Sequence, residues 1–245
     1  MGLEFALAIV GGLITIVGFV SLFISLWLVI KYYKYNRRQN SLGLTGIEIA
    51  RKVLDDNGLE DIKVKKSGSL LFGNSYSHYF KHVRLRSFIR HATSITAMGM
   101  GAQKAALAIL DKEGDPDMKK RIRLVPIMTF GPFACIPLVV IGALIDYFIL
   151  NSSGIFTYIF GAIGLLFFGY SIVLSVLTLK TEKKAQEKAY EILERDYNVT
   201  QEELTALKEL FRLYNIQYVN DIILSALELL YTILEIAIKI KSEAD

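Results

Sequence analysis

The sequence predicts a mainly α-helical membrane protein. It has three transmembrane helices, a last apolar helix whose fourth crossing is the alternative reading, and a cytosolic helical region holding a small β-strand pair. Three observations lead there. Of 245 residues, 53% are hydrophobic and the mean hydropathy is +0.39, high for a water-soluble domain. The apolar residues are gathered into runs long enough to cross a bilayer. Lysine and arginine cluster at one end of each run. The net charge of +4 is too small to indicate nucleic acid. One cysteine, Cys135, excludes a disulfide framework within the chain and permits a reducing cytosol.

The first run, "FALAIVGGLITIVGFVSLFISLWLVI", extends from Phe5 to Ile30. At about 1.5 Å per residue it exceeds a hydrocarbon core of roughly 30 Å. It lacks a basic leader and a small-residue cleavage site, so it reads as a retained anchor over 1–31. Trp27, Tyr32 and Tyr33 fit an interfacial aromatic belt. The second run, "LVPIMTFGPFACIPLVVIGALIDYFIL", carries Pro126, Pro132 and Pro137, which kink it or delay its first straight turn. The third is "IFTYIFGAIGLLFFGYSIVLSVLTL", Ile155 to Leu179. "NSSG" joins the two, so 123–180 reads as a transmembrane hairpin.

Lys31, Lys34, Arg37 and Arg38 follow the first run. Lys119, Lys120, Arg121 and Arg123 precede the second, and Lys180, Lys183 and Lys184 follow the third. If each run crosses once, all three clusters share a side. The positive-inside rule then puts the N-terminus outside and both the 31–123 region and the C-terminal tail in the cytosol.

Within the cytosolic region, "LTGIEIARKVLDDNGL" reads as a helix. Thr45 and Glu48 form a capping box, Ile47, Ala50, Val53 and Leu54 an apolar stripe, and Asn57-Gly58 a left-handed stop. "DIKVKK" and "HVRLRS" alternate apolar and polar residues, as paired strands do, with a loop or irregular ribbon between them. "SITAMGMGAQKAALAIL", 94–110, is a helix crowded with small residues around a polar step, Gln103-Lys104. A polar connector, "DKEGDPDMKK", leads on to the membrane. Residues 181–245 give two more cytosolic helices, "EKKAQEKAYEILERDY" and "TQEELTALKELF", the latter with Thr200 and Glu203 as its capping box. The last apolar stretch, Tyr218 to Ile240, carries Asp221, Glu228 and Glu235 on one helical face. A carboxylate in lipid costs about 2.5 kcal/mol or more, so this helix is expected to lie on the membrane or against the bundle.

The order of these parts resembles a bacterial family of membrane zinc metallopeptidases. Its members share an "LTGxExAxxxLxxNGL" helix, a histidine- and aspartate-rich loop before the second strand, a helix with A-H-E-V-G-H-A, and L-P-x-E-F-D-A after the last span. The resemblance makes 32–122 a metallopeptidase-like domain and the fold a zincin-like remnant. It implies that the small-residue helix is where H-E-x-x-H would grip zinc, two histidines at i and i+4 with the glutamate polarising water. Here Gln103, Lys104, Ala105, Ala106 and Leu107 stand at those positions. Both ligand histidines are replaced, by Gln103 and Leu107, and Lys104 replaces the base. Zinc and an ammonium near 5 Å repel by on the order of 5 kcal/mol at an effective dielectric of about 20. Glu182 in "LKTEKKA" matches the third ligand, and one carboxylate alone does not hold catalytic zinc. It is expected either to begin a helix or to pair with Lys104. The D-H-Y-D-P loop matches Asn74, Ser75, Tyr76, Ser77 and His78, keeping only Tyr76.

Other candidates read blandly. His78 and His82 stand about 13 Å apart on a strand and read as solvated basic residues, not metal ligands. His91 reads as a surface histidine, and Cys135 as a lipid- or protein-facing thiol. "DKEGDPD" lacks the glycine and glutamate of a calcium loop. The resulting expectation is a pseudoprotease in the bacterial cell membrane, with no cofactor, no metal and no catalytic residue. Its partners are membrane lipid and either another membrane protein (an active paralogue or membrane protease) or further copies of itself. Gly-rich spans, such as Gly161-x-x-Gly164, offer one route to pairing and a sheet edge another. The alternatives are an active zinc metallopeptidase with a rearranged site, and a lipid-interacting or transport accessory protein.

Overall fold

A computed structural model describes residues 2–67, 73–128, 131–150 and 154–244, and for 127, 128, 131–136, 150, 243 and 244 the backbone alone. The turn at 151–153 and the side chain of Cys135, both read from sequence, lie outside the described residues. The elements in order are α1 (Gly2–Asn36), α2 (Gly46–Asp56), β1 (Lys63–Lys66), β2 (Ser75–Ser77), β3 (His82–Leu85), α3 (Ser87–Arg90), α4 (Ile95–Glu113), α5 (Pro116–Met128), α6 (Gly131–Leu144), a π-helical segment (Ile145–Leu150), α7 (Ile155–Arg195) and α8 (Gln201–Ala244). The chain forms two compact units. One comprises Met1–Leu22, Arg123–Leu177 and Tyr218–Asp245; the other comprises Phe23–Ile122 and Thr178–Gln217.

In the first unit, two helices among the described residues are long and apolar enough to cross a membrane, α1 and α7, rather than the three expected. The second run is described as the end of α5, α6 and the π-helical segment, with Pro126 inside α5 and Pro137 inside α6; residues 129 and 130, and the side chains of 131–136, lie outside the described residues, and the apolar helix described with its side chains is Pro137–Ile149. Asp146 accepts from the backbone of Phe156 (3.1 Å) and Thr157 (2.8 Å), capping the start of α7. A Cβ on Gly142 would stand 2.6 Å from the carbonyl oxygen of Phe156, so only glycine lets these backbones meet.

Two further expectations give way. The third run and the helix after it are one helix, α7, and the two C-terminal helices are one helix, α8. Between each pair the sequence supplies neither glycine nor proline, so the helix runs through the change from apolar to charged residues. Asp221, Glu228 and Glu235 are all exposed along α8, which is not among the candidate spans.

The second unit holds the sheet, which has three strands where a pair was expected, in the order β1-β3-β2. β1 runs parallel to β3, with Val64 opposite Val83. β2 runs antiparallel to β3, with Tyr76 opposite Val83. Part of the presumed loop is therefore an edge strand. α2 begins at its capping box and stops at Gly58, whose φ is +63°. Its inward stripe is Ile49, Ala50, Val53 and Leu54, while Ile47 is half-buried, so the core-facing residue is Ile49 rather than Ile47.

Packing explains the small residues of α4. The helix is buried continuously from Ile95 to Leu110. A Cβ on Gly101 would come within 2.5 Å of the Gly46 carbonyl oxygen, so α2 crosses α4 with backbones almost touching. A Cβ on Gly99 would strike the methyl groups of Leu207, which α8 lays into that gap. Ser94 caps α4, accepting from Ala97, and Gly114 closes it at φ +73°.

Candidate functional site

A helix buried on all sides must satisfy every polar side chain it carries, because an unpaired buried amide or charge costs several kcal/mol. Gln103 and Lys104 stand in the middle of α4, and the side chain of Lys104 is 9% exposed. Their partner is Glu182, on the charged portion of α7 that follows the apolar stretch. Lys104 Nζ lies 2.6 Å from Glu182 Oε2, and Gln103 Nε2 donates to the same oxygen at 2.9 Å. Arg121, from α5, approaches Glu182 Oε1 at 3.5 Å. Its other nitrogen, Nη1, donates to Thr181 Oγ1 at 2.9 Å, and Thr181 donates in turn to the Thr178 carbonyl. The structure thus brings together Gln103, Lys104 and Glu182 from three positions named by the sequence. It adds Arg121, which sequence reasoning had counted only as a flanking cation.

The electrostatics follow from this arrangement. Burial pushes the Glu182 carboxyl up, but the Lys104 ammonium and then the Arg121 guanidinium outweigh it and hold the group below the usual carboxylate range. One carboxylate facing two cations leaves the cluster with a net charge of +1. Leu107, one helical turn beyond Gln103, is fully buried and offers no lone pair.

A second cluster lies further along α4. Tyr76 donates to Asp111 Oδ2 at 2.6 Å, and His78 Nδ1 meets the same oxygen at 2.6 Å. Asp111 stands eight residues beyond Gln103, on the same stripe of the helix. It was missed because it had been assigned to a polar connector, although the i, i+4, i+8 spacing from Gln103 through Leu107 was visible. His82 is buried, not solvated as expected. Its ring stacks on Phe80, and burial pushes its imidazole down towards the neutral form. His91 is exposed. The acidic connector binds α7: Lys184 pairs with Asp115 at 2.6 Å and Asp117 at 2.8 Å, and Lys188 with Glu113 at 2.7 Å. Asp115 also caps α5, accepting from the backbone of Asp117 and Met118. These carboxylates are occupied by ion pairs and backbone donors.

A buried helix whose middle polar step is answered by a carboxylate, itself faced by a guanidinium from a third helix, is an interhelical ion-pair cluster. The sequence profile of the family described as "Putative neutral zinc metallopeptidase" matches residues 10–237, and the chain belongs to that family. It is similar to the "Putative membrane protease YugP" of Bacillus subtilis (strain 168), 25% identical over 199 residues, covering 81% of this chain and 84% of that protein. No solved structure matches the chain.

The family implies zinc, and the residues present do not fit it. Catalytic zinc takes three protein donors, typically imidazoles and a carboxylate at about 2.0–2.2 Å. At Gln103, Leu107 and Glu182, the positions that the resemblance assigns to the ligands, stand an amide, an aliphatic side chain and one carboxylate already engaged by an ammonium. Among the described residues, no three His, Cys, Asp or Glu side chains gather so as to hold a metal.

Proposed function

We propose that the chain is a non-catalytic member of its family, a membrane-associated scaffold or regulatory subunit that binds another membrane protein or a peptide without cleaving it. The observation that carries this reading is the 2.6 Å contact of Lys104 with Glu182. A general base cannot be an ammonium, and a Lewis acid cannot share a single carboxylate with one. Binding remains within the chain's means. β2 is an edge strand packed beside α4, and an edge strand supports binding of an extended peptide by strand addition. The apolar lengths of α1 and α7, with the membrane protease to which the chain is similar, support a location in a bacterial membrane. If the second apolar run also crosses once, the basic residues at one end of each run favour an N-terminus outside and the α2–α4 region in the cytosol.

The decisive measurement is zinc content and proteolysis of the full-length chain purified from membranes. The expected result is no stoichiometric zinc and no cleavage of a casein or model peptide above the blank. One zinc per chain, removed by chelator together with a cleavage activity, would overturn the reading in favour of a working peptidase with a rearranged site. Co-purification of a second membrane protein supports the scaffold role. Retained lipid with no protein partner would point instead to a lipid-interacting accessory protein.

A further inference from the structure

The absent ligand set leaves a physical problem. Where a zinc site joins two helices, the metal supplies cohesion as well as chemistry. Remove the dication and a buried carboxylate is left facing a helix interior, a costly arrangement unless another positive charge arrives.

We infer that Lys104 is the built-in replacement for that metal: its ammonium group is the fixed cation that ties α4 to α7 through Glu182. This rests on the non-catalytic reading above and deepens it. Three features support it. First, Glu182 reaches the polar step of α4 directly, accepting from Gln103 at 2.9 Å and Lys104 at 2.6 Å, so one carboxylate oxygen holds both members of that step. Second, Gln103 and Leu107 lie one turn apart, where side chains stand about 5–6 Å from each other at Cβ and point the same way. Third, Leu107 is fully buried, and Ala105, Ala106 and Ala108 around it are small and buried too. A histidine is smaller in volume than the leucine and only slightly larger than the glutamine it would replace, and a glutamate is shorter than the lysine. The pocket can therefore take the ligands without overpacking.

The test uses the full-length chain in detergent, expressed with added zinc, in three forms. The wild type is expected to carry no zinc, and its Tm is expected not to move with chelator. The triple variant Gln103→His, Lys104→Glu, Leu107→His is expected to retain one zinc per chain and to lose several degrees of Tm when chelator is added. Adding Glu182→Gln to that variant is expected to abolish the bound zinc. A triple variant with native helical content but no zinc, or one whose zinc is indifferent to Glu182→Gln, overturns the inference while leaving the proposed function standing. Zinc in the wild type would overturn that function first. Should the triple variant fail to fold, Lys104→Met decides by hydrogen exchange. Faster exchange confined to α4 around 100–108 and α7 around 178–188 is the expected result, and unchanged exchange in either segment refutes the tie.

Discussion

Replacing Lys104 by methionine keeps most of the apolar stem and removes the ammonium group with its charge and its donor. At 2.6 Å and an effective dielectric of about 20, the attraction it makes with Glu182 is roughly 6 kcal/mol. Most of that offsets the desolvation of two groups whose side chains are 9% and 16% exposed. Taking away one partner leaves the other charged and buried, which costs about 3–5 kcal/mol. Arg121 and Gln103 still face Glu182, so the lower end, about 3 kcal/mol, is expected. For a chain of this size each kcal/mol moves Tm by about 2–4 °C, so Lys104→Met should lower it by about 6–12 °C. The double variant Lys104→Met, Glu182→Leu should recover part of this, because an apolar pair replaces the buried ion pair at little net cost while Arg121 keeps Thr181 but loses its carboxylate. Thermal unfolding in detergent, followed by circular dichroism, measures both, and the cycle isolates the coupling. A single variant within 2 °C of wild type, or a double variant that sums the two single losses, would refute the reasoning.

Further outcomes follow from the same geometry. The folded carboxyl of Glu182 sits below its ordinary value of 4.5, so its stabilisation is complete above that pH and is lost as pH falls through the folded value; the gap in Tm between wild type and Lys104→Met should therefore narrow below about pH 4.5. Gly101→Ala drives a methyl group into the Gly46 carbonyl, a backbone atom that cannot step aside, and should cost about 1–3 kcal/mol in denaturant unfolding, whereas Gly99→Ala meets only the tips of Leu207 and should cost less. Asp111→Ala strands Tyr76 and His78, and should raise hydrogen exchange at 75–78 and lower stability by about 1–2 kcal/mol, with exchange elsewhere in the sheet little changed.

The parts of this protein governed by neighbours in sequence were legible in it. Thr45 with Glu48, and Thr200 with Glu203, specify helix starts within four residues, and both capping boxes form as written. The crowd of glycine and alanine in 94–110 announced a close helix crossing. Where hydropathy was used to cut the chain, it cut wrongly. A change from apolar to charged side chains alters what surrounds a helix, not its backbone, so α7 and α8 continue where two helices each were expected. β2 escaped notice because Ser75, Tyr76 and Ser77 are too few to show a period, and their strand is specified by β3 alongside.

The sequence by itself determined that no base and no imidazole pair could stand at the middle of α4, since that depends only on which side chains residues 103, 104 and 107 carry. Only the tertiary structure decided what those side chains do instead. Glu182 lies 78 residues from Lys104 along the chain, and Arg121 comes from a third helix. Whether a buried ammonium is a liability or a clamp depends on the distance and dielectric between such groups, which the packing of α4 against α5 and α7 sets and no local pattern encodes.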